Sequence, residues 1–261
     1  MKTILMKFSG PMQAWGTSSH FETRHTDDHP SKSGVIGLVA AALGWSRDDP
    51  HIATLNAMTF AVRVDQPGTL LKDYQTAHKV SKKNNQSKLI SQFYHGEIYM
   101  FTYVTSRYYL EDAVFTVALG IPDSHQADTI ADALQAPYFQ PYMGRRALPL
   151  PVDFFLGVKE GDPLGVLEQE PWHASRWYQR AQQKHAPLRQ RLSIYIEGER
   201  PGGVTRYRRD HLLSLSHKGR RYTERLEGEK VLEVEIPNMH AEHDAFGALG
   251  GERDVSFAGT D

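Results

Sequence analysis

A chain of 261 residues, 40% hydrophobic and 23% charged, is long enough to bury a substantial core with no metal or cofactor to hold it together. It has no cysteine, which excludes disulfides, thiolate catalysis and Cys-ligated zinc and suits a reducing compartment, so the cytoplasm is the expected location. The formal net charge of −1 conceals segregation, because residues 172–225 hold 13 Lys/Arg against 4 Asp/Glu, whereas residues 226–261 hold 2 against 9.

The first predicted element is an apolar strand, Lys2 to Phe8, running into a loop bracketed by Gly10 and Gly16. Pro11 fixes one dihedral there, and the glycines let backbone N–H groups turn toward a ligand, with Gln13 and Trp15 supplying an amide and a stacking ring. The run Ser31 to Gly44 predicts a helix apolar almost all round, hence buried against a sheet, with Ser31 or Ser33 as N-cap. Its positive N-terminal end, beside Lys32, is a predicted phosphate seat. The apolar run Val35 to Leu43 is too short to span a membrane, and no signal-peptide pattern opens the chain.

A short helix from Pro50 to Ala57, capped by Asp49, comes next, then strands at about 59–65 and 69–75. Val62 and Val64 alternate with Arg63, which suits a half-buried strand. Residues 72–95 carry Lys72, Lys79, Lys82, Lys83 and Lys88 against the single acid Asp73, too polar to pack alone. With the β-prone Ile98 to Val104 as a returning arm, they predict a protruding basic hairpin at about 73–109; the alternative is a mobile surface loop. A strand at about 110–119 and a helix carrying Ala127, Ile130, Ala131 and Leu134 follow, the helix ending before Pro137. The expected fold class is therefore α+β, a ferredoxin-like (RRM-like) unit over residues 1–160 with an inserted hairpin.

Beyond Gly161, residues Trp172 to Gln190 predict an amphipathic helix and Leu192 to Ile196 a strand. Arg220 to Leu226 and Val231 to Ile236 predict a hairpin turned at Glu227-Gly228-Glu229. Residues 161–237 are thus expected to form a small C-terminal β extension packed on the first unit, with 238–261 a poorly ordered tail.

The basic block interleaves Arg200, Arg206, Arg208, Arg209, Arg220, Arg221 and Arg225 with Tyr207 and Tyr222. Guanidinium groups fit phosphates bidentately and tyrosine rings stack on unpaired bases, a combination suited to single-stranded RNA. Four acids inside the block cannot neutralise it, although cross-strand pairing with Glu197, Glu199, Asp210 and Glu224 is the competing reading. In Tyr142-Met143-Gly144-Arg145-Arg146 the glycine permits close approach of backbone to ligand, and the arginines can hold phosphates on either side. Catalytic signatures are weaker. His20, His25 and His29 lie near Glu22, Asp27 and Asp28 without metal-ligand spacing, His240 and His243 fall in the predicted tail, and no phosphate-loop motif occurs. No metal and no nucleotide cofactor is implied.

Ordered along the chain, the Gly10–Gly16 loop, Pro30-x-Lys32-Ser33-Gly34-x-x-Gly37-Leu38, Leu43-Gly44 with Arg47-Asp48-Asp49, Phe115 to Leu119, and Pro141 to Leu150 followed by Phe155-Leu156-Gly157 form a set. This set, over roughly residues 1–225, resembles the CasD subunits of type I-E CRISPR Cascade complexes, members of the RAMP superfamily of CRISPR RNA-binding proteins. The resemblance implies a RAMP fold whose hairpin is a thumb along the guide RNA, and a non-catalytic subunit capping the 5′ handle of the CRISPR RNA. It implies the CasC backbone and CasA large subunits as protein partners, target DNA as an indirect one, and no membrane. Gln13, Trp15, Lys32, Ser33, Tyr142, Gly144, Arg145 and Arg146 would then hold the handle, Lys79, Lys82, Lys83 and Lys88 would press on RNA from the thumb, and Arg206 and Arg208 would add phosphate contacts. The alternative is a metal-independent endoribonuclease that processes repeat RNA, as some relatives in other CRISPR subtypes do.

Overall fold

The computed structural model describes residues 1–17, 22–82, 98–185, 189–199, 203–216 and 218–236. A seven-stranded antiparallel sheet forms the backbone of the molecule. It is built from β1 (Lys2–Ser9), β4 (Thr59–Gln66), β7 (Val114–Ile121), β8 (Phe155–Glu160), β9 (Arg189–Glu197), β10 (Thr205–Ser214) and β11 (Arg221–Glu235), in the order β10-β11-β9-β4-β7-β1-β8. A second sheet orders β2 (Met12–Gln13), β6 (Ile98–Glu111) and β3 (Thr23–Arg24), with β5 (Thr69–Lys82) paired to β6 as a hairpin.

Strand alternation assigns the faces. Ile4, Met6 and Phe8 of β1, with Phe60, Val62, Phe115, Val117 and Leu119, pack under α1 (Lys32–Ala42) and α2 (Ser124–Gln135). Leu5, Ala61 and Ala118, one residue out of phase, face α3 (Pro163–Gln169) through Val166 and Leu167. The helix starts follow the expected chemistry: Asp49 caps the 3-10 helix Pro50–Ala57, Asp123 caps α2, and Ser31 caps α1 by accepting the Gly34 N–H.

Arg63 departs from the alternating pattern's promise. It is fully buried beneath α3, paired with Asp65, and donates to the carbonyls of Leu167, Glu170 and Pro171 at that helix's C-terminal end. A guanidinium with five donors can close several orphan carbonyls at once, which a strand-period reading does not anticipate.

Three other expectations are corrected. The strand expected at 110–119 is two strands broken at Asp112, whose φ of +54° reverses the chain. The turn expected at Glu227-Gly228-Glu229 is absent, because Gly228 sits inside the 15-residue β11, opposite Thr205 on one side and Ile196 on the other. The helix expected from Trp172 to Gln190 is the shorter α4 (Arg176–His185), and Arg189 already begins β9. Because β9 pairs directly with β4, the C-terminal strands continue the first sheet. The segment expected as a tail lies outside the described residues.

Candidate nucleic-acid interface

The first loop and the 142–146 turn meet. Gly144 has a φ of +80°, and a Cβ there would overlap the Ala14 carbonyl oxygen; Ala14 N–H donates to Met143 O at 3.3 Å. The close approach that Gly144 permits is thus first of all to the chain itself. Gln13 is fully buried, donating to Phe8 O and Ala113 O and accepting from Trp15 Nε1 at 3.0 Å. The Trp15 ring packs 5.1 Å from Phe8 and is 2% exposed. Gln13 has spent its amide internally, and what it supplies is the position of Trp15.

Lys32 is a second correction. Its ammonium is fully buried, bonded to Glu197 at 2.7 Å and Asn56 O at 2.8 Å, and its backbone N–H donates to Asp210 at 2.7 Å. Burial pulls the Lys32 pKa down and Glu197 partly restores it. The anion expected at the start of α1 is therefore this chain's own Asp210 carboxylate.

Asp210 belongs to a buried network that also absorbs part of the basic block. Arg225 pairs with Asp210 at 2.6 Å and Glu227 at 2.6 Å, and Arg208 pairs with Asp27 at 3.0 Å and Glu227 at 3.2 Å and donates to the His29 carbonyl. Arg206, half-exposed, bonds Glu227 at 3.0 Å and covers the Tyr195 ring. Burial raises the Glu227 pKa, but the His29 hydrogen bond and the charges of Arg208 and Arg225 outweigh it and hold the carboxyl far below the ordinary range. Arg208 is thus a structural cation. The neutralising acids Asp27 and Glu227 lie outside the block, which is why counting charges within it misleads.

Over the outer face of α1 these elements leave a groove of about 710 Å³. Its floor is Trp15, Ser33, Gly34, Gly37 and Ala41, small enough along the helix for a ligand to approach the backbone. Its cations are Arg24, Arg47, Arg145 and Arg220, with His25, and none of its lining residues is acidic. Trp45, Phe139, Tyr142 and Tyr222 supply ring faces along the walls. Several of these groups are braced: Trp45 against His51 at 5.7 Å, Phe139 edge-on to Tyr138 at 4.7 Å, and His25 stacked on Tyr108 at 5.3 Å. Arg145 lies over the Tyr109 ring at 4.2 Å and donates to the carbonyls of Arg24 and Tyr108, leaving its Nη1 without a partner among the described residues. Arg47 and Arg220 are exposed and form no hydrogen bond or ion pair among the described residues.

Of the residues singled out in the sequence, Trp15, Ser33, Tyr142, Gly144 and Arg145 share this groove; Gln13 and Lys32 lie behind it; Arg146 is exposed beside it. Lys79 and Lys82 fall on the outer half of β5, and Lys83 and Lys88 lie outside the described residues. Arg24 and the roles of Arg47 and His25 escaped the sequence reading, since each is a lone cation whose neighbours arrive from distant segments. Arg220 and Tyr222 stood in the basic block, but nothing local separated them from Arg208 and Arg225.

The profile of the family described as CRISPR-associated protein (Cas_Cas5) matches residues 3–226. The CRISPR system Cascade subunit CasD of Escherichia coli (strain K12) is 36% identical over 176 residues, covering 64% of this chain and 77% of that one. A solved chain of a CRISPR RNA-guided surveillance complex superposes with a TM-score of 0.69 at 36% identity, over 89% of this chain and 91% of the other. A solved structure described as a Cas protein gives 0.60 at 28% identity, over 90% and 95%.

Proposed function

The chain belongs to the CRISPR-associated Cas5 family, and from that premise we propose that it is the CasD-type subunit of a type I-E Cascade complex that grips the 5′ handle of the CRISPR RNA in the groove over α1. The observation that carries this is the lining: four arginines, one histidine and five aromatic rings, with no carboxylate among the described residues that line it. On this reading the exposed Arg47 and Arg220 reach phosphates, the half-buried Arg145 adds its charge, and the rings take splayed bases. Gln13, Lys32 and Arg208 act at one remove, fixing Trp15, the start of α1 and the strand beside it.

The unit β1-α1-β4-β7-α2-β8 is read as the ferredoxin-like (RRM-like) core of a RAMP fold, supported by its order β4-β7-β1-β8 with both helices on one face. On this reading residues 1–160 form the core domain, the β5–β6 hairpin is the thumb, 161–237 the extension, and CasC and CasA are the neighbouring subunits in a cytoplasmic particle. The subunit holds RNA without cutting it. General acid–base cleavage needs two proton-transfer groups at one phosphate, and among the described residues His25 is the one imidazole in the groove's lining.

The test incubates the isolated chain with labelled repeat RNA in EDTA and resolves bound from cleaved species. A salt-sensitive complex with intact RNA is expected. Metal-independent cleavage makes the chain a processing nuclease, and an absence of binding removes the groove's assignment.

A further inference from the structure

On the other face of the sheet a second cationic surface stands apart from the groove. Leu192 of β9 continues the Ile194–Ile196 face that packs on α3, and it clusters with Trp172, Ala174 and Ile236 beneath α4. The helix is fastened there: Trp172 Nε1 donates to Asp65 O at 2.8 Å, and the Ser175 N–H and hydroxyl both donate to Gln66 Oε1. Between Glu170 and Glu197 the chain has no acidic residue and five cations. Three of them, Arg176, Arg180 and Lys184, recur every fourth residue on α4, so they form one exposed row with steps of about 6 Å. Neither Arg180 nor Lys184 has an ion-pair partner among the described residues.

Trp177 stands beside this row and is 57% exposed. It is held there by a ladder of rings, edge-on to Tyr178 at 5.7 Å, which is in turn edge-on to the buried Trp172 at 6.2 Å. An indole braced from the core yet open to solvent is a stacking platform with little ordering cost, and unpaired cations next to it complement a chain of phosphates.

We propose that Trp177, Arg180 and Lys184 on α4 form a second polynucleotide-binding surface, which takes an unpaired strand other than the one in the α1 groove. The strand's phosphates follow the cation row and one base lies on the indole. Arg180 and Lys184 carry donors only, which suit phosphate and make no selection on a 2′-hydroxyl, so the surface is indifferent to the sugar. The assignment rests on α4 alone and does not depend on the groove reading.

The full-length chain is mixed with a 12-nucleotide oligothymidylate carrying a central 5-bromodeoxyuridine, or its ribo equivalent, irradiated, and mapped after trypsin digestion. Adducts are expected within the peptide Trp177–Arg180 for both sugars, retained in Arg47→Ala/Arg220→Ala and lost in Arg180→Ala/Lys184→Ala, where the peptide extends further. By fluorescence anisotropy, Trp177→Ala weakens binding at this surface by about fivefold or more while Trp177→Phe retains most of it. The Arg180→Ala/Lys184→Ala pair lowers the salt slope by about 1.4. An α4 adduct without one in the groove upholds this surface and sinks the groove. Groove adducts with none on α4 overturn this surface and leave the groove standing. Persistence of the Trp177 adduct without Arg180 and Lys184, or binding of polyglutamate as tight as that of the oligonucleotide, also overturns it, the latter in favour of an acidic protein.

Discussion

Removing Arg47 and Arg220 together gives the sharpest measurement of the groove, because both side chains are exposed and uncommitted among the described residues, so their loss leaves the fold alone. If the four groove arginines each neutralise one phosphate of a bound single strand, the slope of log K against log salt from the groove is about −2.8, taking about −0.7 per contact. Arg47→Ala/Arg220→Ala leaves two cations and a slope of about −1.4. Between 50 and 200 mM salt the wild-type affinity then falls about 50-fold and the variant's only about sevenfold, and contacts elsewhere add equally to both. Fluorescence anisotropy of a labelled handle RNA across a KCl series reads both slopes, with circular dichroism confirming an unchanged fold. A variant slope equal to that of the wild type shows that these arginines do not meet phosphate, and the reasoning built on the acid-free lining fails with it.

Lys32→Met is expected to lower stability by about 1–3 kcal/mol, since it strips Glu197 and the Asn56 carbonyl of a charged donor, while leaving the salt slope unchanged; a reduced slope would mean that Lys32 reaches RNA. Gly144→Ala sets a methyl against the Ala14 carbonyl at a left-handed backbone position, so a thermal melt should show a loss of at least about 1–3 kcal/mol together with weaker RNA binding, and an unshifted melt refutes the contact. Arg63→Met leaves three carbonyls and Asp65 without their buried partner, and urea unfolding should register about 3–5 kcal/mol. Glu227 has a folded pKa well below its unfolded value of about 4.3, so the stability it contributes is complete above that pH and is lost progressively as the pH falls below it. Glu227→Gln should flatten the acid limb of a pH–stability curve; an unaltered limb would place the acid-sensitive group elsewhere.

Local chemistry explains which parts of the fold were legible. Asp49, Asp123 and Ser31 mark helix starts because each side chain answers an N–H within its own first turn. The run Lys2 to Phe8 and the spacing of Ala127, Ile130, Ala131 and Leu134 declare a strand and a helix by period alone. Long-range pairing was not legible. Arg63, Lys32 and Arg208 are the residue types most often found in water, and each is buried here because a partner arrives from far along the chain. Gly228 looked like a turn because its strand partners on either side were not recognisable in sequence. In the groove, Gly144 and Arg145 stood out through their local motif, whereas Arg24 and Arg47 acquire meaning only when the groove closes around them.

The bond from the start of α1 to Asp210 spans 178 residues, and it has a consequence for synthesis. At roughly 5–20 residues per second, Asp210 leaves the ribosome about 9–36 s after Lys32. Throughout that interval the emerging N-terminal half lacks Asp210 at the start of α1 and the side chains of Arg220 and Tyr222 on the groove wall. On the proposed reading, a fragment that ends before this point lacks Arg220 and Tyr222 of the groove and the carboxylate at the start of α1, and should hold guide RNA more weakly than the finished subunit.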